Sequence, residues 1–191
     1  MTKQLYLIGA KPNPRGREEL HGKPLLEALL GEFTDIQNKG TSDVSTEDVI
    51  LQDTTFDHKG HPNPKPVTYW KGRRDIVIPA GRILRVHGGH EADAAKMRPE
   101  DRAGADVHAY REKDTFVLND KEGDHLYVDI ESTNGLIRVD DASYRPHPPK
   151  GQRLVRKGDW LVPVDAGEAS QGGVQIPPAR KPIAGAPGRF A

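Results

Sequence analysis

His87-Gly88-Gly89-His90-Glu91-Ala92-Asp93 places two imidazoles and two carboxylates within seven residues. Zinc takes about three or four converging N, O or S donors, and it binds imidazole in the neutral form. The end of a hairpin would bring His87, His90 and Asp93 together for that purpose. A plainer reading has Gly88-Gly89 ending a strand and leaves the histidines on a surface loop. His58 and His61 lie in a different loop. Asn119, Asp120, Glu122 and Asp124 set oxygen donors around Gly123, but the spacing departs from an EF-hand loop and Lys121 sits among them. A solvated turn fits that stretch better. Glu18, Glu19 and His21 have the residue types of an acid and a base, yet nothing in their loop orients them. No GxSxG, P-loop, HExxH or GxGxxG motif is present. No residue is therefore assigned a catalytic, cofactor-binding or metal role.

Composition narrows the classes. Lys and Arg total 28 and Asp and Glu total 28, so no net field draws the chain to nucleic acid or an anionic membrane. Locally the sign varies. Asp114 to Asp141 is acidic and favours basic partners, whereas Arg145, Lys150, Arg153, Arg156 and Lys157 form a basic run beside Tyr144 and Trp160. Such a run can contact phosphates and stack on bases. Because the two segments adjoin and oppose in sign, the basic face is expected to pack on the acidic strands, which argues against nucleic acid. The chain has no cysteine, which excludes disulfides, thiolate metal sites and a cysteine nucleophile and fits a reducing compartment. No apolar run has the length of a signal-peptide core or a bilayer span. The expectation is a soluble cytoplasmic protein.

The elements that must position these residues are short and punctuated by Gly and Pro, which predicts an all-β chain. Asp75 to His90 is the densest apolar stretch. Ile76, Ile78, Ile83 and Val86 flank Pro79-Ala80-Gly81, which predicts a core hairpin. Other strands are predicted at Leu5 to Ile8, Glu32 to Asn38, Val44 to Leu51, Val67 to Trp70, Val107 to Tyr110, Thr115 to Leu118, His125 to Ile130 and Leu136 to Val139. The strand at Glu32 has no clean alternation, so it is bulged or mixed. Pro24 to Leu30 reads as a helical turn with Pro24 at its first position, or as an apolar plug. Glu91 to Gly104 reads as one or two surface helical turns interrupted by Pro99. Arg153 to Val164 reads as a hairpin turning at Lys157-Gly158-Asp159. Beyond Asp165, Gly, Pro, Ala and Ser dominate and predict a mobile tail.

Taken in order, LIGAKPNPRG, EFTDIQNKG, IPAGRILRVHGG, PEDRAGADVHAY and FVLNDKEGDHLYV resemble the bacterial members of the lamin tail domain family. The match spans roughly Leu5 to Ile130. It departs at Leu118-Asn119-Asp120, where the family usually has an aromatic residue before Asn-Asn. The resemblance implies an immunoglobulin-like β-sandwich; the residues add a short surface helix and, outside the resemblance, a C-terminal extension. The division is 1–130 for the sandwich, 131–164 for a β extension with a hairpin, and 165–191 for a flexible Gly/Pro-rich tail. Its core would hold Ile8, Ile36, Leu51, Ile76, Ile78, Leu84, Val86, Phe116, Leu126 and Val128. The resemblance also implies a non-enzymatic protein-interaction or structural module with a protein partner; the scattered apolar residues of the tail add self-association through an edge strand or the tail. The alternative is a metal-binding protein or metal-dependent hydrolase built on His87, His90 and Asp93.

Overall fold

Strand side chains point alternately to opposite faces, and Val49, Leu51, Leu126 and Val128 accordingly all reach one core with no exposure above 1%. The computed structural model describes residues 4–15, 19–21 and 23–164. Its strands are β1 (Leu5–Lys11), β2 (Glu19–Leu20), β3 (Lys23–Pro24), β4 (Phe33–Asn38), β5 (Val44–Ser45), β6 (Val49–Asp53) and β7 (Val67–Lys71). They continue as β8 (Val77–Ile78), β9 (Ile83–His87), β10 (Val107–Tyr110), β11 (Asp124–Ser132), β12 (Gly135–Tyr144), β13 (Leu154–Lys157) and β14 (Trp160–Pro163). Helix α1 is Leu26–Gly31, a 3-10 turn spans Glu91–Lys96, and α2 is Pro99–Arg102.

Ten strands join in one sheet, in the order β10-β9-β4-β1-β13-β14-β12-β11-β6-β7. The sheet curls, because strands far apart in that order meet. The Leu7 amide of β1 donates to Asp140 of β12 at 2.7 Å, and the Tyr69 hydroxyl of β7 donates to Thr34 of β4 at 3.0 Å. Ile36, Leu84, Leu51, Leu126, Leu154 and Leu161 share the enclosed cluster. Each such side chain contributes about 1.5–3 kcal/mol by burial. The all-β class follows directly.

Several elements differ from their sequence reading, each for a physical reason. The expected hairpin at Pro79-Ala80-Gly81 does turn, but its arms do not pair. β8 pairs with β5, whereas β9 pairs with β4 and β10. Asn38 stands between the arms: its amide donates to Arg82, its carbonyl accepts from Gly81 and its side chain donates to Ile78. Ile8 is only half-buried because it is the extra residue of a bulge between Leu7 and Gly9. Phe116 is also half-buried, and Thr115 to Leu118 form no strand. The Val117 and Leu118 amides are taken instead by the Glu32 carboxylate. β4 itself has no bulge; its mixed pattern arises because both faces are covered. Helix α1 starts at Leu26, with Pro24 in the β2–β3 ribbon. The expected interruption at Pro99 is a boundary between two elements: the 3-10 turn ends at Lys96 and Pro99 opens α2. β11 runs through residue 130 without a break, and β12, β13 and β14 continue the same sheet. The expectation for residues 165–191 lies outside the described residues.

Candidate functional site

The histidine loop does not form a metal centre among the described residues. His87 closes β9 with no exposure. Gly88 then packs so tightly that a Cβ there would stand 2.4 Å from the Leu29 carbonyl oxygen, and Gly89 takes a φ of +69°. That turn carries His90 away to the surface, where Glu112 and Asp114 contact its two ring nitrogens at 3.0 and 3.1 Å. The Glu112 hydrogen bond, followed by the nearby Asp114 charge, raises the pKa of His90. Asp93 pairs with Lys96 at 2.7 Å. His61 caps its own loop on Asp57 at 3.2 Å, and His58 is exposed. In the acidic turn, Asn119 accepts from the Lys121 and Glu122 amides, and Asp124 accepts from Thr54 and His125. Those oxygens serve the backbone.

A larger feature lies at the sheet's two ends. β7 and β10 each pair with one neighbour only, and the curl brings both to the same cleft. Thr68, Tyr69, Trp70 and Lys71 line one wall, and the stretch from Val107 to Lys113 lines the other, around about 780 Å³. That volume suits a bound segment or ligand. At one end Arg73 reaches Glu91 at 4.0 Å, linking the walls weakly. The floor is built by a bulge. Trp70 and Thr68 pair with Leu51 and Gln52, leaving Tyr69 as an extra residue that turns inward to Thr34.

The second wall carries a histidine that the sequence reading passed over. His87 Nδ1 lies 2.7 Å from the Leu30 carbonyl, which can only accept, and His87 Nε2 lies 2.9 Å from His108 Nδ1. Burial pushes the His87 pKa down to about 3, so this ring is neutral and its Nε2 carries a lone pair. His108 Nδ1 must therefore donate, which leaves His108 Nε2 as an acceptor. Burial, followed by the Arg85 charge, lowers the His108 pKa as well. The cleft thus holds a neutral imidazole of fixed tautomer. The parallel register of β9 and β10, which places His108 next to Arg85, is what no linear spacing reveals.

Beneath the floor is a polar interior. Glu32 accepts from the Val117 and Leu118 amides and faces Arg111 at 3.4 Å; burial nevertheless pushes its pKa up to about 8. Burial also raises Asp124 to about 8 and Asp53 to about 6. Two residues of the basic segment meet acids: Arg156 reaches Asp140 at 3.3 Å and Arg153 reaches Asp35 at 2.7 Å. Arg145 sits over Trp160 at 5.8 Å. No protein-family model matches the chain, and no curated protein matches it in sequence.

Proposed function

We propose that the protein is a non-enzymatic interaction module that receives an extended protein segment in the cleft between β7 and β10. One observation carries this reading: two sheet edges face a common cleft of about 780 Å³. Unpaired edge amides and carbonyls are templates for strand addition, and a segment in this slot meets an edge on either side. His108 Nε2 offers it a further acceptor. The resemblance to lamin tail domains belongs to the same proposal. In that view β10-β9-β4-β1 and β12-β11-β6-β7 are the two layers of an immunoglobulin-like sandwich. A bacterial setting comes with that resemblance, and a reducing, cytoplasmic one fits the cysteine-free composition. Among the described residues no helix is long and apolar enough to cross a membrane.

The test is a photo-reactive residue placed at Thr68 or Lys113 in the full chain, with a control at exposed Asn134 in the β11–β12 turn. A defined protein adduct from the first two positions, together with slowed amide exchange across β7 and β10 in the captured complex, is the expected result. Equal capture from Asn134, or exchange at both edges unchanged, defeats the reading. For the metal alternative, elemental analysis of untagged protein is expected to find no stoichiometric zinc.

A further inference from the structure

Lined by none of the cleft residues, two apolar hollows meet at Trp160. One, of about 490 Å³, is lined by Phe56, Pro62, Pro64 and Glu122 among others. The second, of about 520 Å³, is lined by Pro148, Pro149, Leu154, Leu161 and Pro163. Tyr144, Arg145, Pro146 and Trp160 border both, so the two form one continuous groove. Trp160 is 47% exposed, the large aromatic surface of this face.

We propose that this groove seats the chain's own segment from Val174 to Lys181. The described chain ends at Val164, directly after Pro163, which is itself part of the groove wall. The sequence continues for 27 residues to Ala191. Nine of them, Asp165 to Gly173, span up to roughly 30 Å, enough to cross from the exit to the far hollow. The segment reads Val-Gln-Ile-Pro-Pro-Ala-Arg-Lys. Pro-Pro favours the extended left-handed helix that docks on aromatic and proline-lined grooves at low entropic cost. The order of charge also agrees. Asp165 and Glu168 come first and meet Arg145 near the exit, the apolar Ile176-Pro177-Pro178 comes next to Trp160, and Arg180 and Lys181 come last toward Glu122. Tethering supplies an effective concentration of about 1 mM, so weak contacts suffice. This proposal is independent of the β7–β10 cleft.

The chain has two tryptophans, and Trp70 is buried at 5% exposure, so quenching by acrylamide reports mainly on Trp160. In the full chain, Ile176→Asp with Pro178→Gly is expected to raise that quenching about twofold, because the groove then leaves Trp160 at its 47% exposure. Far-UV circular dichroism should not change. A second measurement uses the absence of native cysteine: a spin label on Ala184→Cys should broaden the Trp160 indole resonance, and Ile176→Asp should abolish the broadening. Quenching unaffected by the substitutions overturns the proposal. So does broadening seen only when labelled and isotope-enriched chains are mixed, since that places a neighbour's segment in the groove.

Discussion

Asp35 and Arg85 stand directly opposite one another on β4 and β9, with side chains 0% and 1% exposed. Arg85 donates to both carboxylate oxygens at 2.6 and 2.9 Å and to the Asp101 and Ala103 carbonyls, while its guanidinium lies 3.7 Å from the Phe33 ring centre. Arg153 also reaches Asp35, at 2.7 Å, so removing Arg85 leaves the buried carboxylate with one partly exposed partner, and Arg85→Met should cost about 3 kcal/mol. The double change Asp35→Leu, Arg85→Met should cost clearly less, because no buried carboxylate is left behind; urea unfolding of the three proteins checks this. Protonation gives a second residue-scale outcome. Glu32 and Asp124 have folded pKa values near 8, above their ordinary 4.5 and 3.8. Their stabilising protonation is complete below those ordinary values and is lost as pH rises through 8. His87 acts oppositely: its contribution is present above 6.5 and is lost as pH falls toward 3. Between 6.5 and 8 the two carboxylates titrate in the same direction as surface His90, whose pKa is raised above 6.5, and stability should fall by up to about 1.4 kcal/mol per pH unit for each carboxylate. Thermal melts across that window should show the decline, and Glu32→Gln should remove its share.

At the scale of elements, close backbone approach decides where glycine is required. A Cβ on Gly72, after β7, would lie 1.8 Å from the Thr46 carbonyl oxygen, and one on Gly88 would lie 2.4 Å from that of Leu29. Gly72→Ala and Gly88→Ala should each cost about 1–3 kcal/mol or more, since backbone must move. Gly81 has open space around it and a φ of +76°, so Gly81→Ala should cost only about 1 kcal/mol through conformation. Denaturant midpoints of the three variants test the order. The same elements show what a linear reading can reach. β11 is legible because Leu126, Val128 and Ile130 keep strict alternation. β4 is not, because Phe33 and Asp35 are buried on its second face, beside Arg85 and close to α1 and α2. The pairing of β8 with β5 depends on Asn38, forty residues upstream of Ile78, which no local signal announces. The metal loop looked plausible because its donors are near in sequence; Gly88 and Gly89 separate them in space. His108 was passed over for the converse reason, its partner lying 21 residues away.

For the whole molecule, the β13–β14 hairpin joins the sheet's two halves. β13 pairs with β1 at Gly9 and Ala10, and β14 meets β12 at Ser143. Leu154 and Leu161 bring this hairpin into the common core at 1% and 2% exposure. Leu161→Ala should therefore cost about 2–5 kcal/mol and destabilise the whole sheet. Trp160 fluorescence and far-UV circular dichroism should unfold together, and an earlier transition at Trp160 would show the extension standing apart. The same joint has a consequence during synthesis. Gly9 meets Val155, and a ribosome adding about 5–20 residues per second delivers the second strand roughly seven to thirty seconds after the first. Throughout that interval the nascent β1 has one flank without its mate, and loop closure over such a separation is slow. Until Val155 has been made, that edge of the growing chain is open to the wrong partner, another strand or another chain.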